Sequence, residues 1–342
     1  MDSPPELERW LDGRRPLVET RLSELIPRPS LAPATLHEAM RYAVLGGGKR
    51  LRPLLCLAAY EATGGSAPRG LEVPDPPENG PDCPGESAPQ GRPALSAAST
   101  QAIVAVYGSA PVTPAAALDV ACAMEIMHAY SLIHDDLPSM DNDDLRRGRL
   151  TVHKAFGEAT ALLAGDALMA LSFGVLATAL PPGRCRLGVI LLAQASGSMG
   201  LCGGQMLDWE GESQPVTPER VVSIGHWKTG SLFSAACEAG ALAADADAAR
   251  RKAVAGYGRH AGAAFQAVDD LLDITGSAQR MGKQVGKDRR RNKQTWVAAE
   301  GLEAARGRVR AETALALESI ATLGPRGRWM RMIAESMVTR NC

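Results

Sequence analysis

The chain has 342 residues, enough to bury a large core in one domain or two. Its 37 Lys and Arg nearly balance 38 Asp and Glu, for a formal net charge of −1, so bulk electrostatics favour neither nucleic acid nor an anionic membrane as partner. Seven scattered cysteines, an odd number without a CxxC pair, argue against a disulfide framework or zinc site and fit a reducing cytoplasm.

The opening MDSPPELERWLDGRR is acidic and lacks an apolar run, so no secretory signal is expected. Residues 5–26 read as an amphipathic helix with Leu7, Trp10, Leu11, Leu17, Leu22 and Leu25 on roughly one side. Pro27, Pro29 and Pro33 break it. A second helix over Thr35–Leu45 runs into Gly46-Gly47-Gly48, followed by Lys49-Arg50-Leu51-Arg52-Pro53. Glycines permit a tight turn close to a ligand, and cations beside it suit an anion; a loop of solvated charges is the alternative.

Helix resumes at Leu54–Thr63, and then composition changes. Between Gly64 and Pro93, eight prolines alternate with Gly, Glu, Asp and Ser, which cannot form a packed element. An insertion over about 64–113 is expected to be disordered or loosely held. Replacing Ser66–Pro93 by a short Gly/Ser linker should change stability by less than about 1 kcal/mol, as read by denaturant unfolding.

A helix restarts near Pro114, with Leu118, Cys122, Glu125, Ala129 and Ile133 on one face. Thr160–Leu180 is apolar apart from Asp166 and long enough to span a membrane. Interruption by Gly165, Asp166, Ser172 and Gly174, and flanks without anchoring residues, favour a fully buried core helix instead. Further helices are expected at Leu187–Leu201, within 218–243 and 248–275, and at Leu302–Leu323 and Trp329–Val338. Strand-like alternation is absent, so the fold class is all-α, one large helical domain.

Two acidic clusters carry the chemistry. Asp135, Asp136, Asp141, Asp143 and Asp144 fall within ten residues, and Asp269, Asp270 and Asp273 form the second group. Asp269 and Asp273 lie about 40° apart on a helix and share a face with Gln266. Asp135 and Asp141 are roughly 120° out of phase on an ideal helix. Pro138 between them must end or bulge that helix, which can bring Asp141 back towards Asp135. Hard carboxylate ligands suit Mg²⁺ shared with substrate phosphates. Lys49, Arg52, Arg146, Arg147, Lys228, Lys283 and Lys293 lie beside glycines or these clusters. Metals on aspartates plus such cations describe a diphosphate site, with one subsite bridged by metal and one held by basic side chains alone.

The motifs GGGKRLRP (46–53), HAYSLIHDDLPSMDNDDLRRG (128–148), LLAGDAL (162–168), GGQMLD (203–208), KTG (228–230), FQAVDDLLD (265–273) and GK…GKD…NK (282–293) follow in order along nearly the whole chain. Together they resemble the trans-isoprenyl diphosphate synthases, the farnesyl and geranylgeranyl diphosphate synthase family, with the long first aspartate motif of its bacterial and plant members. The resemblance implies a helical bundle of the isoprenoid synthase type around a central apolar cavity. It implies that Asp135, Asp136 and Asp141 hold Mg²⁺ for the allylic diphosphate, with Asp269 and Asp270 opposite and Asp273 in support. Three ions per site are implied, replaceable by Mn²⁺. Arg146, Lys228, Thr229, Gln266, Lys283 and Lys293 are then expected at the allylic diphosphate, and Lys49, Arg52, His128 and Arg147 at isopentenyl diphosphate. A homodimer, a cytoplasmic location and no membrane span complete the expectation.

A growing hydrocarbon must extend away from the metals, between apolar helices. Tyr130 lies five residues before Asp135, about 7.5 Å along a helix at ~1.5 Å per residue. It is large enough to act as a floor, and Ser131 beside it obstructs nothing; a core aromatic with a satisfied hydroxyl is the alternative. In the family an aromatic at this position accompanies farnesyl diphosphate, with geranylgeranyl diphosphate the other candidate product. The long insertion, the dense Arg289-Arg290-Arg291 run and Trp296-Val297 depart from the family pattern. A class I terpene synthase would carry asparagine and glutamate in its second metal motif, and a non-catalytic regulatory subunit would lack one aspartate motif; both motifs are intact here.

Overall fold

The computed structural model describes residues 4–66, 112–275 and 293–339. Most of the expected insertion, Lys283 and the run Arg289–Arg291 lie outside the described residues.

Among the described residues, the regular elements are helices apart from one small hairpin. Helix α1 (Pro5–Leu25) buries Leu7, Trp10, Leu11, Val18 and Leu22, so Val18 takes the core position expected of Leu17. Helix α2 (Ala34–Val44) is followed by the glycine turn, and α3 (Leu51–Thr63) leaves that turn with ten buried residues. Helix α4 (Pro114–Asp135) begins with proline in its first turn, where a missing N–H costs nothing. The Thr113 hydroxyl caps it by accepting from the Ala116 N–H at 3.2 Å.

Helices α5 (Val152–Phe156) and α6 (Glu158–Ala179) follow, then α7 (Pro182–Ser196) and α8 (Leu201–Gly211). The chain continues through α9 (Pro218–Ile224), a π-helical turn (Gly225–Gly230), α10 (Ser231–Ala243) and α11 (Ala248–Thr275). Beyond Lys293 come α12 (Trp296–Glu300), α13 (Leu302–Ser319), a 3₁₀ turn (Ala321–Gly327) and α14 (Arg328–Thr339). The expected break at Pro181-Pro182 holds, but Pro182 also starts α7. The single helix expected over 187–201 ends at Ser196, and α8 begins at Leu201.

Helix α4 is central. It packs against α3, α6 and α10, while α11 packs on α10 and α13. One core cluster gathers Leu22, Val44, Met124, Ile126, Met127, Leu168, Leu176 and Leu192 around α4. A second joins Leu7, Trp10, Leu54, Phe233, Tyr257, Ala316 and Met330. Both rest on α3 and α10, which hold the two halves of the bundle together.

Helix α6 corrects the expectation of a fully buried helix. It buries Ala161, Ala164, Gly165, Leu168, Ser172, Val175 and Leu176 at helical spacing but leaves Leu162 and Leu163 about half exposed, at 48% and 57%. By length and composition, Pro114–Asp135, Glu158–Ala179 and Pro182–Gly211 are each apolar enough to cross a membrane. The first lies mostly inside the bundle, and the other two carry an uncovered apolar face.

Candidate active site

The first acidic cluster forms because α4 stops at Asp135. The Asp136 N–H still reaches the Leu132 carbonyl at 3.1 Å, but the proline at 138 cannot continue the ladder. The chain curls instead, and the Asp141 N–H donates to the Asp135 carbonyl at 2.8 Å. This return brings the backbone of Asp141 back to that of Asp135, and the Asp141 charge is felt at the Asp135 carboxyl. Burial pushes the Asp135 carboxyl up to about 6; Asp141 and Asp136 add to the rise, while Lys228 and Arg146 oppose it. Such a carboxylate, short of water and beside others, is stabilised by an added cation.

Asp136 behaves differently. It is buried, and both its carboxylate oxygens accept from Arg146, Nε at 2.8 and 2.9 Å and Nη2 at 2.5 Å. Arg146 also stands 3.9 Å from Asp143. Arg146 sits on a two-strand hairpin, Leu145–Arg146 paired with Arg149–Leu150, which the sequence reading did not anticipate. Its turn residues Arg147 and Gly148 have φ of 53° and 75°, the positive pair that a tight two-residue hairpin demands. The hairpin throws Arg147 across to the glycine turn, where its Nη1 donates to the Gly47 carbonyl. A Cβ on Gly48 would lie 2.6 Å from the same nitrogen, so glycine there admits the guanidinium.

A cationic pocket results. Arg52 is stacked 4.9 Å over the Phe233 ring, and Lys49 Nζ lies 5.7 Å over Phe265. The buried Nε of Arg52 and Nδ1 of His128 lack hydrogen-bond partners among the described residues. Burial disfavours the Arg52 charge, partly offset by Glu125 and Asp269. His128 is held well below its ordinary value, first by burial and then by Arg52, Arg147, Arg146 and Arg50. Buried polar atoms left unpaired beside cations mark a place where an anion would be satisfied. The unfolded chain protonates His128 near 6.5, whereas the folded pocket resists it, so this residue costs stability as pH falls below 6.5. His128→Asn should therefore lose less melting temperature than the native chain between about pH 7 and pH 5.5, in substrate-free thermal unfolding.

The second cluster is joined to the first by the π-helical turn, a geometry that recurs at functional sites. Lys228 Nζ donates to Asp208 Oδ2 at 2.7 Å; burial works against its charge, but Asp208 and Asp135 raise its pKa above the ordinary value. Gly204 permits this approach, since a Cβ there would meet the Lys228 backbone nitrogen at 2.1 Å. Thr229 Oγ1 donates to Gln266 Oε1 at 2.8 Å, and Gln266 Nε2 donates to Asp270 Oδ1 at 3.1 Å. Gln266 thus supports Asp270, four residues on, on the same face of the helix as Asp269 and Asp273. Asp270 is buried and also accepts the Trp296 N–H at 2.9 Å. Asp273 is buried too, with Oδ2 unpartnered among the described residues.

Lys293 closes the ring. Its Nζ lies 3.0 Å from Asp208, 3.2 Å from Glu212 and 3.5 Å from Asp141. Asp208, which anchors both Lys228 and Lys293, had no role in the sequence reading, although it ends the quoted GGQMLD motif. Tyr130 is buried, edge-on to His134 with ring centroids 4.9 Å apart and its hydroxyl 3.6 Å from Cys202 Sγ. Ser131 turns its hydroxyl back to the His128 carbonyl at 2.9 Å. Among the described residues, no group of three His, Cys, Asp or Glu side chains is placed to hold a metal ion. Mg²⁺ is ordinarily held by one or two carboxylates and completed by water and phosphate oxygens, so a full protein cage is not required of it.

Comparison with known proteins agrees with this geometry. The polyprenyl synthetase family model matches residues 88–321. A farnesyl diphosphate synthase of Geobacillus stearothermophilus is 39% identical over 305 residues, covering 88% of this chain and 86% of that protein. A geranylgeranyl diphosphate synthase of Cyanophora paradoxa is 36% identical, with 86% and 83% covered. Among solved structures, the geranyltransferase from Helicobacter pylori, described as complexed with magnesium and isoprenyl diphosphate, superposes with a TM-score of 0.75 at 27% identity, over 99% of this chain and 98% of that one. With its aspartate motifs, basic pocket and helical bundle, the chain belongs to the polyprenyl synthetase family.

Proposed function

We propose that the chain is a prenyltransferase that joins isopentenyl diphosphate to dimethylallyl or geranyl diphosphate and makes farnesyl diphosphate as its main product. The observation that carries this reading is the pairing of two unlike subsites: carboxylates at Asp135, Asp141 and Asp269, and a pocket of Lys49, Arg52, His128 and Arg147 with unpartnered buried polar atoms. Two diphosphates need two kinds of holder. A metal-bridged one can ionise, and one held only by basic side chains stays intact.

Asp135 and Asp141 would hold Mg²⁺ on one side, with Asp269 and Asp273 opposite. Asp136 and Asp270 act mainly as braces, because Arg146, Gln266 and the Trp296 N–H already occupy them. Bound divalent ions supply charge neutralisation to the leaving diphosphate. Lys228 and Lys293 add fixed positive charge there, as preorganised electrostatics that costs no rearrangement during reaction; Lys283, outside the described residues, is assigned to the same diphosphate. The isopentenyl double bond attacks the allylic carbon, and a proton leaves to the released diphosphate, so no protein base is needed. Apolar walls from α4 and α6 exclude water, and Tyr130 limits the chain to fifteen carbons.

We also assign the exposed large apolar side chains of α6, α7 and α8, Leu162, Leu163, Leu187, Ile190, Met206 and Trp209, to contact with a second copy of this chain, in a cytoplasmic homodimer; apolar side chains exposed on three successive helices call for cover. Product analysis with labelled isopentenyl diphosphate and each allylic primer tests the whole reading. C15 product is expected, and mostly C20 would favour a geranylgeranyl diphosphate synthase. Diphosphate release without isopentenyl diphosphate, or no turnover by the purified chain, would overturn the assignment.

A further inference from the structure

The turn Lys49-Arg50-Leu51-Arg52 offers three cations, and the proposed function uses only Lys49 and Arg52. Arg50 turns inward. It is 2% exposed, and its backbone is left-handed, φ 49° and ψ 37°, a conformation uncommon outside glycine. Its Nε and Nη2 donate to Glu19 Oε1 and Oε2 at 2.7 and 2.9 Å, a bidentate fork. Nη1 donates to Glu125 Oε1 at 2.9 Å, and Nη2 also reaches the Val44 carbonyl at 2.7 Å. One side chain therefore ties α1, α4 and the end of α2 to the start of α3. Glu125 is itself buried at 3% exposure and lies three residues, about one turn, before His128.

We propose that the Arg50–Glu125 pair is a positioning device for the isopentenyl diphosphate subsite, locking the basic turn so that Lys49 and Arg52 face His128 and Arg147. The proposal rests on the assignment of that pocket to isopentenyl diphosphate. Arg52 and Lys49 are steered by little else among the described residues: they stack softly on Phe233 and Phe265, and Arg52 Nε has no hydrogen bond there. Their aim is therefore set by the backbone, and the residue between them sets the backbone. Glycine would tolerate the left-handed turn but has nothing with which to anchor it. Lysine would keep the charge but cannot present a planar fork to Glu19 while reaching Glu125. Glu125 also places a negative charge near Arg52 and Arg147, offsetting repulsion among cations that must converge on one anion.

Steady-state kinetics of the full chain, varying each diphosphate separately, tests this. Arg50→Lys and Arg50→Gly should each raise the KM for isopentenyl diphosphate about tenfold or more, the worth of a lost charged hydrogen bond. The KM for the allylic primer and kcat should stay within about threefold. Glu125→Gln keeps an acceptor at the same place and should raise that KM less than Glu125→Leu. A fall in kcat or melting temperature with both KM values moving together would overturn the proposal in favour of a merely structural pair, as would native kinetics for Arg50→Gly. Lys49→Ala separates the two layers. If it leaves the isopentenyl diphosphate KM unchanged, the assignment of the pocket fails. If it raises that KM while the Arg50 variants do not, the positioning role alone fails. Should the Arg50 variants not fold, Glu19→Gln weakens the fork from its solvent end, where Glu19 is partly exposed. A selective rise of about two- to threefold in the same KM is expected, and its absence overturns the proposal.

Discussion

Asp135→Ala and Asp269→Ala should each lower kcat by about three orders of magnitude or more, the scale of losing a main electrostatic element of a transition state. EDTA should abolish condensation, and Mg²⁺ or Mn²⁺ should restore it. The physical ground is the state of Asp135. Burial and its aspartate neighbours already lift its carboxyl to about 6, so its negative charge is a cost in the metal-free protein. Asp135→Asn should therefore fold as well as the native chain, or melt higher, while losing turnover. Asp270→Asn should do the opposite in part. Its carboxylate accepts from Gln266 and the Trp296 N–H, and weakening a buried acceptor costs about 1–3 kcal/mol. Thermal unfolding beside single-turnover rates distinguishes the two. Near-native rates in EDTA, or a native rate for Asp135→Ala, would remove the metal assignment.

Tyr130→Ala should shift the product from C15 towards C20 and longer, with total isopentenyl incorporation kept within a few-fold. The ring is buried on α4, wedged edge-on against His134 and touching Cys202 from α8. Nothing in those contacts reaches the aspartates through Tyr130, so its removal should open volume without disturbing the diphosphate subsites. On the His134 side the imidazole is anchored, its Nε2 hydrogen-bonded to the Leu162 carbonyl at 3.1 Å. Collapse into the space left by the ring is resisted there, which favours a usable cavity over a refilled core. Chromatography of dephosphorylated products reads the outcome. An unchanged spectrum, or a native chain that already makes mostly C20, would place the floor elsewhere.

Much of this was open to reading in the chain itself. Helical periodicity placed nearly every long helix, because a 3.6-residue apolar repeat has few other homes. Pro138 required α4 to end or bulge, which made a return of Asp141 towards Asp135 possible, and the backbone takes that course. Exposure of one α6 face was not readable, since a helix apolar on all sides looks the same whether its cover is its own chain or another surface. The hairpin at 145–150 was missed for a different reason: two-residue strands carry no alternation, and the only signal was Arg147-Gly148 at a turn.

The sequence by itself determined the all-α class, the two acidic clusters and the basic turn, because spacing on a helix and the chemistry of carboxylates are local properties. Only the tertiary structure decided which members of each cluster are committed to the protein. Asp136 is taken by Arg146, ten residues away through a hairpin; Asp270 by Trp296, 26 residues on; and Lys228 and Lys293 by Asp208 on a separate helix. Adjacent aspartates on one helix are chemically identical in the sequence. They differ only in which neighbours packing brings to them, and that is settled by contacts distant in the chain.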